Sequence, residues 1–191
     1  MNAPATLLPI QTPGQRAALQ APPLTRRGLV AVEPSRNFIW LKRLVTTTEL
    51  YPFIGDDASP PADGFETRGF EADALLLRVT LDGAPVGAFV FIPIAFGWEV
   101  HTALTRHCRG ARALEAGRQG IAFIFQHTEA RRITSRCPED NPASLWYALR
   151  CGFEITSRQA DWVKAGRRYN SVYVELNRSK WKGSRLCRSQ P

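Results

Sequence analysis

The sequence has few cysteines, and none are arranged in a way that suits a metal. Its 191 residues contain four, without a CxxC pair: Cys108, Cys137, Cys151 and Cys187. Structural zinc sites need closely spaced ligands, and small secreted domains held by disulfides need more cysteines than this. We therefore predict reduced thiols, no bound metal and a cytoplasmic location.

Long apolar runs are also missing. The longest, residues 86–98, is too short to cross a bilayer as a helix. The first residues of the sequence also lack a charged segment followed by a long apolar stretch. We expect neither a membrane span nor a standard secretion signal. No internal repeat is present, and the length fits one core with flanking segments.

Acidic residues are scarce towards both ends of the sequence. Residues 1–36 carry four arginines against Glu33, and residues 177–191 carry five basic side chains and no acid. The residues between them are balanced, with 16 basic and 16 acidic side chains. The ends are therefore either solvated tails or docking segments for an acidic protein surface or nucleic acid. The neutral middle disfavours a nucleic-acid groove, which needs a continuous basic footprint.

Prolines and patterned segments divide the chain into three parts. Residues 1–36 contain six prolines, which resist both helix and sheet, so we interpret them as an extended arm. Residues 37–176 hold the patterned segments and form the predicted domain. Residues 177–191 form a basic tail, in which Trp181 is a candidate for contact with a partner.

The patterned segments predict strands and helices in mixed order. The stretch FIWLKRLV after Asn37 predicts a first strand. Apolar steps of three and four predict a helix over residues 110–127, where Gly117 and Gly120 indicate a close contact between the helix and the sheet. Asn141 and Pro142 predict the start of a second helix, which Gly152 ends. Further strands are predicted at residues 74–81, 85–94, 98–105, 131–137, 153–158 and 170–176.

Two segments resemble the GNAT superfamily of N-acetyltransferases. EVHTALTRHCRGARALEA, residues 99–116, resembles its strand, phosphate loop and helix. PEDNPASLWYALRCGF, residues 138–153, resembles the next motif, in which an Asn begins a helix that ends in Gly-Phe. The resemblance implies an α/β (α+β) fold with a mixed, mostly antiparallel central sheet flanked by helices. ELYPFIGDD, DGFE and EVHTAL are most similar to bacteriophage and prophage members.

The resemblance also implies an acetyl-CoA site. A pyrophosphate is bound by unpaired backbone N–H groups at a helix start, and the first motif supplies such a start after residue 109. Two bulky residues, Arg112 and Leu114, stand where the family has small ones. Either Arg112 is a phosphate ligand, or the loop no longer binds the cofactor. The residues implied to contact acetyl-CoA are Leu104, Arg109, Gly110, Ala111, Arg112 and Asn141.

Two residues of the first motif are candidates for proton transfer. Strand alternation places Glu99 and His101 on one face, where either could take a proton from an amine as a general base. The alternative is that they form the polar face of a strand. Tyr147 stands one residue before the family's position for a tyrosine acid, which is Ala148 here, and is predicted to pack instead.

The sequence therefore predicts an N-acyltransferase of GNAT type. It would transfer acetyl from acetyl-CoA to a primary amine by direct attack in a ternary complex. The alternative is a non-catalytic GNAT-fold component of a phage virion. That protein would act in the host cytoplasm or the virion, held to an acidic protein or virion partner by residues 1–36 and 177–191.

Overall fold

A seven-stranded sheet forms the centre of the computed structural model, which describes residues 28–183. All neighbouring strands run antiparallel except β4 and β5, which are parallel. Their order across the sheet is β1-β2-β3-β4-β5-β7-β6. The strands are β1 (Val30–Ser35), β2 (Leu75–Leu81), β3 (Ala84–Ile94), β4 (Gly97–Leu104), β5 (Arg132–Pro138), β6 (Glu154–Lys164) and β7 (Arg167–Asn177).

Within residues 28–183, five α-helices and one short 3₁₀ turn connect and flank these strands. The two longest helices, α3 and α4, follow β4 and β5 as the sequence predicts. None of the helices in the described range is both long and apolar enough to cross a membrane. The helices are α1 (Phe38–Val45), α2 (Tyr51–Ile54), α3 (Ala111–His127), α4 (Pro142–Arg150) and α5 (Arg178–Gly183), with the 3₁₀ turn at Ala62–Gly64.

The first predicted strand is wrong, because FIWLKRLV folds as helix α1. The side chain of Asn37 accepts a hydrogen bond from the Trp40 N–H at 2.9 Å, which caps the helix. Leu41 and Val45, four residues apart, are buried on one stripe, whereas Ile39 is 71% exposed. A strand would have placed Ile39 and Leu41 on the same face, so the helical period is what buries the apolar residues.

Part of the predicted N-terminal arm belongs to the sheet. Residues 30–35 form β1, which pairs with β2 from Val30 opposite Leu81 to Ser35 opposite Leu76. Gln119 of α3 donates to the Val30 carbonyl at 3.1 Å, so the strand also contacts the helix layer. Pro34 is tolerated because β1 is an edge strand. Residues 1–27 lie outside the described residues.

Two apolar clusters lie on opposite faces of the sheet, because alternate residues of each strand contribute to different clusters. The larger cluster joins Phe89, Phe91 and Val100 to α3 and α4. The smaller joins Ala88, Val90 and Ala103 to α1. The sheet therefore has an α3–α4 face and an α1 face.

Both glycines of α3 mark close packing, but only Gly120 makes the predicted contact with the sheet. A Cβ atom on Gly120 would lie 3.1 Å from Cδ2 of Phe89 on β3. A Cβ atom on Gly117 would lie only 2.5 Å from the hydroxyl oxygen of Tyr147 on α4. Gly120 thus permits the contact with the sheet, and Gly117 permits the contact between the two helices.

The predicted basic tail begins with a packed helix. Trp181 of α5 is 5% exposed and its ring lies 5.2 Å from that of Phe125 in α3. The Arg178 guanidinium donates through Nε to the Ala130 carbonyl at 2.6 Å, which fixes the start of α5. The assignment of Trp181 to a partner surface is therefore wrong. Residues 184–191 lie outside the described residues.

We expect Trp181→Ala to lower the free energy of unfolding by about 3 kcal/mol, because it leaves a cavity against Phe125. Urea denaturation measures this change. Trp146→Ala is the matched control, since Trp146 is 54% exposed on α4 and its removal should cost less than about 1 kcal/mol. If Trp181→Ala lowered the free energy of unfolding no more than the control, α5 would add nothing to the core.

Candidate active site

The central feature of the site is the point at which β4 and β5 separate. Their parallel register holds three pairs and ends with Glu99 opposite Thr134. One residue further, the Ser135 hydroxyl donates to the Val100 carbonyl at 2.9 Å. Beyond this point β4 continues beside β3 to Leu104, and β5 continues beside β7 to Pro138. A cleft therefore opens between the two strands, with the backbone of residues 101–104 along one side.

Helix α3 begins at the end of β4 with an open first turn. Gly110 is its N-cap residue and has φ of +60°, a conformation that favours glycine. The first helical hydrogen bond runs from the Leu114 N–H to the Gly110 carbonyl at 3.1 Å. The N–H groups of residues 111–113 therefore have no acceptor within the helix. Together with the helix dipole, they suit an anion such as a pyrophosphate.

The side chains around this first turn are basic and accessible. Arg109 and Arg112 are exposed, and Ala111 between them is small and exposed. Leu114, one of the two bulky departures from the family pattern, is half-buried and packs against the larger apolar cluster. It therefore points away from the open N–H groups, and the exposed Arg112 is free to approach a phosphate. Leu104 is buried in the same cluster, so only its backbone could contact a cofactor.

Helix α4 begins beside this cleft at Asn141, with Pro142 as its first residue. The Ser144 hydroxyl donates to the Asn141 carbonyl at 2.8 Å, as expected for a residue of the first turn. The Asn141 carboxamide itself makes no capping hydrogen bond, although the sequence suggested that it would. Its side chain is therefore available to a ligand at the start of α4.

Tyr147 packs between the helices, as predicted. Its hydroxyl donates to the Ala113 carbonyl at 3.1 Å, which ties α4 to the first turn of α3. Burial raises the pKa of Tyr147 well above its ordinary value, and the neighbouring Cys151 acts in the same direction. The family's tyrosine position, Ala148, is buried. No residue at either position is therefore suited to protonate a leaving thiolate.

Glu99 and His101 lie together on the α1 face beside the cleft. The Nε2 atom of His101 is 3.5 Å from Oε1 of Glu99, and their side chains are 55% and 35% exposed. The pKa of His101 is lowered, chiefly because the surrounding protein displaces water from the imidazole. The Glu99 carboxylate opposes this effect, and Arg136 adds to it. A lowered pKa favours the neutral imidazole, which is the form that accepts a proton.

Three further residues, which the sequence did not single out as site residues, complete this face. The Tyr173 hydroxyl donates to Oδ2 of Asp161 at 2.6 Å, and the Nη2 of Arg136 lies 3.3 Å from Oδ1 of the same carboxylate. Arg136 also donates through Nε to the buried Ser171 hydroxyl at 2.8 Å, and its guanidinium lies 5.1 Å from the Trp162 ring centroid. The sequence signal for two of them is alternation, since Arg136 and Tyr173 each lie next to an apolar residue of the larger cluster and therefore face away from it.

The hydrogen bonds of this group fix its protonation. The bond to Asp161 raises the pKa of Tyr173, so the phenol keeps its proton. Bonds from Ser171 and Tyr173 lower the pKa of Asp161, so the carboxylate stays ionised. Asp161 and Arg136 therefore form a lasting ion pair next to Glu99 and His101.

Cys108, which lies in the loop before α3, is unsuited to nucleophilic chemistry. It is fully buried, and burial raises the pKa of its thiol although Arg109 and Arg112 act in the opposite direction. Among residues 28–183, no group of three or more histidine, cysteine or acidic side chains could hold a metal.

Solved structures share this architecture. A spermidine N-acetyltransferase from Vibrio cholerae in complex with CoA and spermine matches with a TM-score of 0.66 and 12% identity, covering 80% of this chain and 97% of that one. A probable acetyltransferase of the GNAT family from Chromobacterium violaceum matches with a TM-score of 0.63 and 22% identity, covering 80% and 90%. The chain has the GNAT fold. No protein-family model matches the sequence, and no curated protein matches it.

The GNAT fold explains why β4 and β5 are the one parallel pair among antiparallel neighbours. In this chain the crossover between them is α3, so the open first turn of the helix and the cleft between the strands lie at the same end of the sheet. The fold expected from the resemblance is confirmed. The roles of the individual site residues stay predictions.

We expect the pKa of His101 to fall further in Glu99→Gln, because the carboxylate that stabilises the imidazolium is removed. Titration of the imidazole signals by NMR measures this, with His101→Gln used to assign the ring. An unchanged or higher pKa in Glu99→Gln would show that the two side chains do not interact in solution.

Proposed function

We propose that the chain is an N-acyltransferase that transfers acetyl from acetyl-CoA to a primary amine. The observation that carries this proposal is the early end of the β4–β5 ladder next to a helix with an open first turn. An elongated ligand with a phosphate group at one end could lie along the free edge of β4. Its phosphates would then meet the N–H groups of residues 111–113.

The residues that would hold the cofactor come from three elements. Arg109 and Arg112 supply positive charge at the first turn of α3, and Gly110 lets the backbone approach the phosphates closely. The backbone of β4 up to Leu104 offers hydrogen bonds to the amide groups of a pantetheine. Asn141 contributes a side-chain amide from the start of α4. This set supports binding of acetyl-CoA, with Arg112 as a phosphate ligand rather than an obstacle.

The chemistry needs two protons removed from the acceptor ammonium. The first must leave before the nitrogen can attack the thioester carbonyl, and the second leaves the nitrogen once the C–N bond has formed. The C–S bond then breaks and the CoA thiolate leaves. His101, beside Glu99, would take the first proton directly or through water and pass it to solvent before it takes the second.

The non-catalytic alternative is a scaffold attached through residues 1–36 and 177–191, of which residues 1–27 and 184–191 lie outside the described range. The packing of Leu114 on the larger apolar cluster supports the enzyme, because this bulky side chain leaves the first turn of α3 open. The phage or virion setting stays a prediction from sequence.

Acetyl-CoA should bind the full chain measurably by calorimetry, and Arg109→Glu should weaken that binding at least about tenfold, or roughly 1.4 kcal/mol. The reason is that a carboxylate replaces a guanidinium beside the phosphates. Arg43→Glu makes the same charge change on the exposed side of α1 and should leave affinity nearly unchanged. A chain that binds no acetyl-CoA would favour the scaffold alternative.

Glu99→Gln or His101→Ala should each lower kcat roughly 100-fold, while the affinity for acetyl-CoA stays close to that of the unaltered protein. Each change removes a side chain that proton transfer needs. Neither change alters a residue that would contact the phosphates. Steady-state rates on a panel of primary amines measure the effect. Glu33→Gln, an exposed carboxylate on β1, is the control. Weaker cofactor binding with unchanged kcat would show that Glu99 and His101 only shape the strand.

A further inference from the structure

The ammonium of Lys164 joins three separate elements on the α1 face. Lys164 is the last residue of β6, and its Nζ lies 2.9 Å from Oδ2 of Asp140, just before α4. The same ammonium donates to the Pro52 carbonyl in α2 and lies 5.9 Å from the centre of the Phe53 ring. Both partners of the ion pair are largely shielded from water, with side chains 28% and 14% exposed.

Asp57 anchors the segment after α2 to the turn that follows Lys164. Its carboxylate accepts hydrogen bonds from the N–H groups of Ala165 and Gly166, each at 2.8 Å. Its own N–H donates to the Val163 carbonyl at 2.8 Å. These three bonds hold the end of residues 51–57 against the β6–β7 turn, and Ile54 packs on the smaller apolar cluster of the α1 face, the face that carries Glu99 and His101.

Asp140 depends on Lys164 for its charge to be tolerated. Its Oδ1 atom is buried and has no hydrogen-bond partner among the described residues. A buried carboxylate without a compensating cation is strongly unfavourable. Asp140 directly precedes Asn141. A backbone movement that exposes the Asp140 carboxylate to water would therefore also move the start of α4.

We propose that Lys164 is a positioning residue that couples the acceptor wall, residues 51–57, to the cofactor side of the site at Asn141. The inference rests on the proposed function for its catalytic meaning. Physically, one cation fixes both the wall that an amine would pass and the helix start that acetyl-CoA would meet. Binding of the two substrates is therefore linked through this ion pair.

Hydrogen exchange on the free full-length protein tests the link without any turnover. In Lys164→Met we expect faster exchange in residues 50–58 and also in residues 138–144. Asp140→Asn should leave exchange in both segments much closer to the unaltered protein, because no buried carboxylate is left uncompensated and Lys164 keeps its bond to the Pro52 carbonyl. Lys164→Arg should stay close to the unaltered protein. Lys42→Met is the matched control. It removes a more exposed ion pair, between Lys42 of α1 and Glu66, and should leave exchange in residues 138–144 unchanged.

The double variant Asp140→Asn with Lys164→Met separates coupling from general loosening. It contains no uncompensated buried charge, so exchange in residues 138–144 and the KM for acetyl-CoA should return towards the unaltered values. The KM for the amine should stay raised several-fold, because the contact with α2 is still missing. In Lys164→Met alone both KM values should rise several-fold, with a smaller change in kcat.

Two results would count against these ideas in different ways. Exchange in Lys164→Met that increases only within residues 162–167, or no more than in Lys42→Met, would overturn the link. Failure of the unaltered protein to bind acetyl-CoA would overturn the proposed function, and the link would then be a structural contact without a role in acyl transfer.

Discussion

The site depends on one interruption of the sheet, the end of the β4–β5 ladder after Glu99 and Thr134. Because β4 keeps its pairing with β3 while β5 turns towards β7, one edge of β4 loses its partner inside the domain rather than at its margin. The hydroxyl of Ser135 makes the last contact across the gap, to the Val100 carbonyl. An unpaired strand edge normally favours aggregation, and here α3 and α4 pack on the same sheet beside it.

The same interruption organises the charges on the α1 face. Glu99 and His101 stand on β4 at one side of the gap, and Arg136 stands on β5 at the other. Tyr173 on β7 and Asp161 on β6 hold Arg136 in place. The pKa of His101 is lowered by the surrounding protein and by the charge of Arg136, whereas the carboxylate of Glu99 acts in the opposite direction.

Much of the sheet and both long helices follow from local sequence. The β2–β3 hairpin is specified by Asp82-Gly83, and both residues adopt the positive φ that such a turn requires. The helix after Gly110 is specified by apolar residues at steps of three and four, and the helix after Asn141 by Pro142 at its first position. These features could be predicted because each depends on residues that are close together in the chain.

By itself, the sequence determined the strands β2 to β4, the two long helices and Gly110 at the start of α3. It also placed Glu99 and His101 on one face of β4. Short-range periodicity and turn chemistry decide each of these features. Tertiary structure decided that FIWLKRLV is a helix, because an eight-residue apolar stretch fits both periods until the surface it covers is known. It also decided that residues 30–35 pair with β2 and that Trp181 packs on Phe125. The group of Arg136, Asp161 and Tyr173, and the ion pair of Lys164 with Asp140, depend on strand pairings between distant segments, which local patterns do not encode.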